Sequence, residues 1–210
     1  MSARRIAIFP LTGAVLFPGL QLPLHIFEPR YRAMVQEVLV RDRMIGMVQP
    51  RVRVGEEMRE PPALFDVGCV GHIADVEALD DGRYNLVLSG LARFRVVREL
   101  DVTTPFRQVE AIIEEHAADD ALPSIVRADV EREAKRFSER QGYLVDWNAV
   151  GQLDDATLVN GIAQIAPFDA AAKQALLEAD TIAARAELAV QLMQFFGRSD
   201  GDDGGYVTLQ

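Results

Sequence analysis

The spacing of apolar residues changes character near residue 117. Before it, short runs in which apolar and polar residues alternate are separated by Gly, Pro and Asp turn residues, a pattern typical of β-strands. After it, apolar residues recur every three or four positions among Ala, Leu, Glu and Asp, as on the buried face of helices. We therefore predict an α+β chain with a β-rich region over 1–116 and a helical region over 117–198 packed on it. Residues 199–210, rich in Gly and Asp, should form a mobile tail.

Seven runs in the first region predict strands, and one interruption predicts a helix. Pro29 suits a first helical turn, and the apolar residues after it recur on one face, so a helix should reach from there to near Asp42. Asp81-Gly82 is a typical hairpin turn. The predicted strands are Arg5–Phe9, Leu20–Ile26, Met44–Val48, Leu64–Val76, Arg83–Ser89, Ala92–Val102 and Phe106–Glu115. Several short strands with one inserted helix favour a small, partly closed β-barrel.

Four helices are predicted in the second region, each from its own start or stop signal. Gly142 is a usual residue after a helix end, Pro167 stops a helix, and Asp169 is a favoured N-cap. The predicted helices are Ser124–Gln141, Asp155–Ala166, Ala170–Ala179 and Thr181–Gly197. The strongly apolar side of the last one should face a core.

Size and composition bound the class of protein. The chain has 210 residues, of which 49% are hydrophobic, enough for a sizeable core. No stretch reaches the roughly 18 uninterrupted apolar residues of a membrane-spanning helix, so we predict a soluble protein with no membrane partner. Cys69 is the single cysteine, which excludes an intramolecular disulfide and favours a reducing cytoplasm. The apolar N-terminus is interrupted by Pro and Gly, so we interpret it as mature structure rather than a signal peptide.

Motifs for catalysis and metal binding are missing from the sequence. There is no Gly-Lys dipeptide and hence no P-loop, and no G-x-S-x-G nucleophile motif. Cys69 and His72 are three apart on a predicted strand, which places them on opposite faces and argues against a shared metal ion. We therefore predict no catalytic residues, no metal site and no cofactor.

One constellation is more specific than the rest. Phe17-Pro18-Gly19, followed by the run from Leu22 to Arg32 (LPLHIFEPRYR), closely resembles the signature of the Lon-protease N-terminal domain family. Further likeness to that family lies, in the right order, in the segments 8–11, 68–74, 82–86, 88–96 and 173–178. The resemblance implies a PUA-like β-barrel followed by a helical bundle, in agreement with the division at residue 117.

The resemblance also sets the functional expectation. In the family this domain is implicated in recognising substrate polypeptides, and no Ser flanked by Gly, Pro and Ala with a downstream Lys, as in the Lon peptidase, occurs here. We therefore predict a non-catalytic polypeptide-recognition module that binds unfolded or partly folded polypeptides, with a protease or a chaperone as a further partner. The candidate peptide-binding residues, which would border an apolar depression beside a strand edge, are Phe17, Pro18, Gly19, Leu20, Leu22 and Phe27. The same residues have a structural alternative, as turn formers and core.

Two other functions stay open at this point. PUA-like barrels resemble RNA-binding domains, and residues 1–60 contain nine arginines against six acids. The net charge of the whole chain is −10, however, which opposes attraction to phosphate backbones, so we expect no nucleic-acid partner. An unrecognised enzyme is the third alternative.

Overall fold

The computed structural model describes residues 3–51, 61–114 and 121–199. The chain divides into two compact units, Met1–Ala117 and Ala118–Gln210. The first contains the described strands and one helix, and the second contains helices.

A six-stranded sheet with one helix makes up the first unit. Its elements are β1 (Arg4–Pro10), β2 (Gln21–Ile26), α1 (Pro29–Leu39), β3 (Met44–Val48), β4 (Val67–Ala78), β5 (Tyr84–Glu99) and β6 (Gln108–Ile113). The strand order is β2-β5-β4-β3-β1-β6, and β5 pairs additionally with β6, so the sheet turns back on itself. The β1–β3 pair is parallel and the other pairs are antiparallel. The α+β class with a curled sheet and one inserted helix is thus confirmed.

Strand β5 differs from the prediction, which divided it into two strands at Gly90. The chain does not turn there; instead β5 changes partner, pairing with β2 over residues 84–89 and with β6 over residues 94–99. A side chain at Gly90 would place its Cβ 2.2 Å from the carbonyl oxygen of Phe17. Glycine is therefore required at this position by a close approach of two backbones, not by a turn.

The core of the first unit lies on the inner side of the curled sheet. Alternate residues of its strands meet there, and the cluster comprises Ile6, Ile8, Val48, Val70, Ala92, Phe94, Val109 and Ala111. Helix α1 buries Tyr31, Met34, Val35 and Val38, as its spacing predicted. Burial of such side chains is the main stabilising contribution, about 1.5–3 kcal/mol for each large apolar residue.

The described part of the second unit consists of five helices: α2 (Ser124–Gln141), α3 (Trp147–Val150), α4 (Asp155–Ile165), α5 (Ala170–Glu178) and α6 (Ile182–Ser199). Four were predicted. Gly142 ends α2 in the left-handed conformation at φ +71°, and the Asp169 carboxylate caps α5 by accepting the N–H of Ala172 at 2.7 Å. The sequence analysis missed α3, because a single turn started by the Asp146 side chain leaves no apolar period. Of the predicted tail, residues 200–210 lie outside the described residues.

A buried arginine joins three helices of the second unit. Arg185 of α6 is 6% exposed, and its guanidinium donates to the carbonyl oxygen of Leu176 at 2.7 Å and to Oδ1 of Asn160 at 2.6 Å. It also donates to the carbonyl oxygen of Ala179 at 3.3 Å. The charge thus lies at the C-terminal end of α5, where the helix dipole favours a cation. No described helix is both long and apolar enough to cross a bilayer.

Candidate peptide-binding edge

The Phe17-Pro18-Gly19 motif forms a tight turn that fixes the start of β2. The N–H of Leu20 donates to the carbonyl oxygen of Phe17 at 3.2 Å, and Gly19 has φ +80°. Pro followed by a left-handed Gly at the two central positions is the pattern of a type II turn. The turn is tied to β5, because the N–H of Gly19 donates to the carbonyl oxygen of Gly90 at 2.9 Å and the N–H of Gly90 donates to that of Leu20 at 2.8 Å.

The side chains of this motif do not form a surface. Phe17 is 0% exposed and Pro18 is also buried, while Gly19 is exposed. Phe17 and Pro18 are therefore buried and do not border an exposed apolar depression, which corrects our expectation for these two residues. The reason is the tie to Gly90, since it holds the turn against β5 and directs the Phe17 ring inward.

The remaining candidates lie along an edge of the sheet. Among the described strands, β2 pairs with β5 alone. Leu22 is aligned with the buried Leu88, and Leu24 with the buried Leu86. Both leucines of β2 are nevertheless only half-buried, because no described strand covers their other flank.

Two more apolar residues lie at the two ends of β2. Leu20, just before β2, is half-buried, and Phe27, just after it, is 60% exposed. The Phe27 ring is stacked on the His25 imidazole with 6.3 Å between their centroids. Hereafter the edge strip denotes the side chains of Leu20, Leu22, Leu24 and Phe27.

Helix α1 follows the edge strip directly, and its first turn has the predicted structural role. Pro29 occupies the first helical position, and the Glu28 carboxylate pairs with the Arg30 guanidinium at 2.9 Å. The guanidinium lies 4.6 Å above the Tyr31 ring. Burial raises the pKa of the Tyr31 phenol, and Arg30 opposes that shift, so the phenol stays neutral at ordinary pH.

The outer face of β2, β5 and β4 carries polar side chains in rows set by the strand register. One row aligns His25, Asn85 and Glu77, and the next aligns Pro23, Val87 and Asp75. In the first row the His25 Nδ1 lies 2.7 Å from Asn85 Oδ1, and Asn85 Nδ2 donates to Glu77 Oε2 at 2.9 Å.

A cationic group lies at the hairpin end of this face. Arg83 Nη1 lies 3.3 Å from His25 Nε2, and the same guanidinium pairs with the Asp81 carboxylate at 2.6 Å. The Arg83 N–H and then its guanidinium hold the pKa of Asp81 below the usual value, so the Arg83 charge is compensated locally.

The two rows border an open depression of about 380 Å³ on this face. Its lining combines the apolar Pro23 and Val87 with the carboxylates of Asp75 and Glu77. The sequence analysis did not find these residues. The alternation Asp75-Val76-Glu77 was a signal that both acids share one face, but their juxtaposition with Pro23 depends on a register shift between Ile73 and Asp75.

Residues considered for metal binding are not brought together. Cys69 is buried, whereas His72 is half-exposed. In the described part of the chain, no three His, Cys, Asp or Glu residues are grouped in a way that could hold a metal ion.

Comparison with known proteins gives a match over nearly the whole chain. The family model for the ATP-dependent protease La (LON) substrate-binding domain matches residues 5–194. Lon protease 2 of Myxococcus xanthus is 29% identical over 194 residues, which cover 90% of this chain and 23% of that protein. The Lon protease of Brucella suis biovar 1 is 23% identical over 193 residues, with the same coverage of each chain. The chain thus spans less than a quarter of the length of these relatives.

Solved structures agree in fold. The N-terminal domain of the Mycobacterium avium complex Lon protease has a TM-score of 0.70 at 16% identity, covering 91% of this chain and 98% of that one. The crystal structure of a Lon N-terminal domain protein from Xanthomonas campestris has a TM-score of 0.64 at 23% identity, with the same coverage. The similarity in sequence is to a substrate-binding domain and not to a catalytic one. By its sequence match and its fold, the chain belongs to the Lon substrate-binding domain family.

Proposed function

We propose that the first unit binds extended, apolar segments of unfolded or partly folded polypeptides along β2 and takes no part in catalysis. The observation that carries this proposal is the edge strip, a set of incompletely covered apolar side chains along β2 and at its ends, on a strand with no described neighbour on one side. An extended segment placed there would complete the cover of Leu22 and Leu24 with alternate side chains of its own. The family match to a substrate-binding domain supports the same function.

Pro23 determines what kind of binding this edge allows. Proline has no N–H, so any backbone ladder along β2 is interrupted at its third residue. Proline in edge strands also protects against uncontrolled pairing with other strands. Side-chain contacts with the edge strip must therefore supply most of the affinity, and we expect weak and reversible binding, with Kd in the micromolar range, or about −8 kcal/mol.

Binding to a permanently unfolded polypeptide, such as reduced and carboxymethylated α-lactalbumin, tests the proposal. Leu22→Glu places a charge in the edge strip and should weaken binding about tenfold or more. Val97→Glu is the matched control, since Val97 is an apolar residue of β5 that is 52% exposed and lies outside the edge strip. It should bind like the parent.

If Leu22→Glu unfolds the protein, Phe27→Ser provides a second test. Because Phe27 is largely exposed, its replacement should leave the fold intact. It should retain the parent's melting temperature and bind less tightly. If the parent retains no unfolded polypeptide, or if both edge-strip variants melt and bind like the parent, the proposal is wrong.

A further inference from the structure

The outer depression contains two carboxylates without compensating cations. Within the described residues, neither Asp75 nor Glu77 forms an ion pair: Asp75 Oδ1 accepts the N–H of Val76 at 2.9 Å, and Glu77 accepts the amide of Asn85. Both residues are exposed. They are two positions apart on β4 and so point to the same side about 6.5–7 Å from each other, a separation that one extended cationic group can bridge.

The apolar part of the depression lies between these carboxylates and β2. Val87 is aligned with both Pro23 and Asp75, so Pro23, Val87 and Asp75 form one continuous row across three strands. Arg and Lys side chains match such a row, because their methylene stems cover apolar surface while the charged head lies at the end. The Arg83 guanidinium lies at the hairpin end of the same face, where Asp81 compensates its charge.

We propose that the depression receives a basic side chain, arginine or lysine, of the bound polypeptide, with its stem on Pro23 and Val87 and its head at Asp75 and Glu77. This inference rests on the proposed function, since β2 supplies both the edge strip and one wall of the depression. A segment on the edge can thus present a neighbouring basic residue to the outer face. The substrate class becomes apolar segments with an adjacent basic residue, attracted by the two exposed carboxylates of the depression.

Fluorescence anisotropy with synthetic peptides tests the inference on the full chain. One labelled apolar peptide carries a central Arg, and its matched partner carries Gln at that position. We expect the Arg peptide to bind about three- to tenfold more tightly at low salt, with the advantage reduced at 0.5 M salt, as for an exposed charge pair.

Asp75→Asn combined with Glu77→Gln should abolish the advantage of the Arg peptide while leaving the affinity for the Gln peptide unchanged. Asp101→Asn combined with Glu187→Gln is the control, because it removes the same two charges at exposed positions outside the depression. This control should preserve the advantage. If it abolishes the advantage as well, the effect is one of net charge, and the inference is wrong.

The failure of this inference differs from a failure of the proposed function. Equal affinity for the two peptides, with weakening by Leu22→Glu, overturns the basic site and keeps the edge. Loss of the Arg preference in the Asp75/Glu77 variant with no effect of Leu22→Glu overturns the edge instead. No binding of either peptide overturns both.

Discussion

The burial of Phe17 can be tested by comparing it with Phe27, an aromatic residue ten positions later. Phe17 is 0% exposed, whereas Phe27 is 60% exposed. Truncation of a buried Phe to Ala costs about 3–5 kcal/mol, depending on how far the surroundings can relax into the cavity. Relaxation is restricted at Phe17, because the turn it begins is hydrogen-bonded to Gly90. The backbones of Phe17 and Gly90 are already in close contact, so the turn cannot move inward to fill the cavity. We therefore expect a loss near the upper end of this range for Phe17→Ala.

Urea unfolding followed by far-UV circular dichroism measures this loss. Phe27→Ala is the control and should change the free energy of unfolding by less than about 0.5 kcal/mol, since surface substitutions have small effects. Trp147, the single tryptophan, lies in α3, so its fluorescence reports the unfolding of the second unit in the same samples. A loss below about 1 kcal/mol for Phe17→Ala would show that the ring does not lie in the core, and the assignment of Phe17 as structural would fail.

Four further outcomes are expected. Gly90→Ala should lower the melting temperature and release the turn at Phe17, which is measured by faster hydrogen exchange of the Leu20 amide. Arg185→Met should lower the free energy of unfolding of the second unit by about 1–3 kcal/mol, seen in urea melts by tryptophan fluorescence, because buried carbonyl oxygens lose their donor. The backbone N–H of Thr157, and then its hydroxyl, lower the pKa of the helix-capping Asp154 carboxyl. The stability that this contact contributes is therefore present above the unfolded pKa of about 3.9 and is lost as the pH falls through the lower native pKa. Acid melts of Asp154→Asn should therefore depend less on pH between 5 and 2 than those of the parent. Purified chain should neither hydrolyse ATP nor cleave casein, and turnover of either would contradict the non-catalytic function.

Local chemistry made the turns and helix ends predictable from the sequence. Proline at the second and glycine at the third position of the turn at Phe17, proline at the start of α1, and the Asp81-Gly82 hairpin all act through backbone dihedral angles that one or two residues determine. The helix bounds in the second unit were equally accessible, since caps and periodicity are short-range signals. These elements could be predicted without knowing which other segments pack against them.

Long-range contacts made the rest inaccessible. In the sequence, Gly90 has the pattern of a turn residue, but in the structure it is required by the close approach of the Phe17 backbone. Phe17 has the pattern of a loop residue, but this contact directs its ring into the core. The depression beside Asp75 depends on pairing three strands in register across an irregularity between Ile73 and Asp75. A shift by one residue would have moved each side chain to the opposite face, and periodicity within one strand cannot determine that choice.

The turn at Phe17 and the proposed binding surface are therefore adjacent but different. The Phe17 and Pro18 side chains of the turn are buried, and the exposed Gly19 has no side chain. The turn anchors its last residue, Leu20, to β5 through Gly90. From that anchor, β2 runs along β5 in a fixed register, and its alternation leaves Leu22 and Leu24 half-covered at the edge. A substitution in the turn can thus abolish polypeptide binding without removing a single contact to the polypeptide. Loss of binding identifies a contact residue only where the melting temperature is unchanged. Recognition should therefore be measured at the edge strip and the depression, and not at the turn.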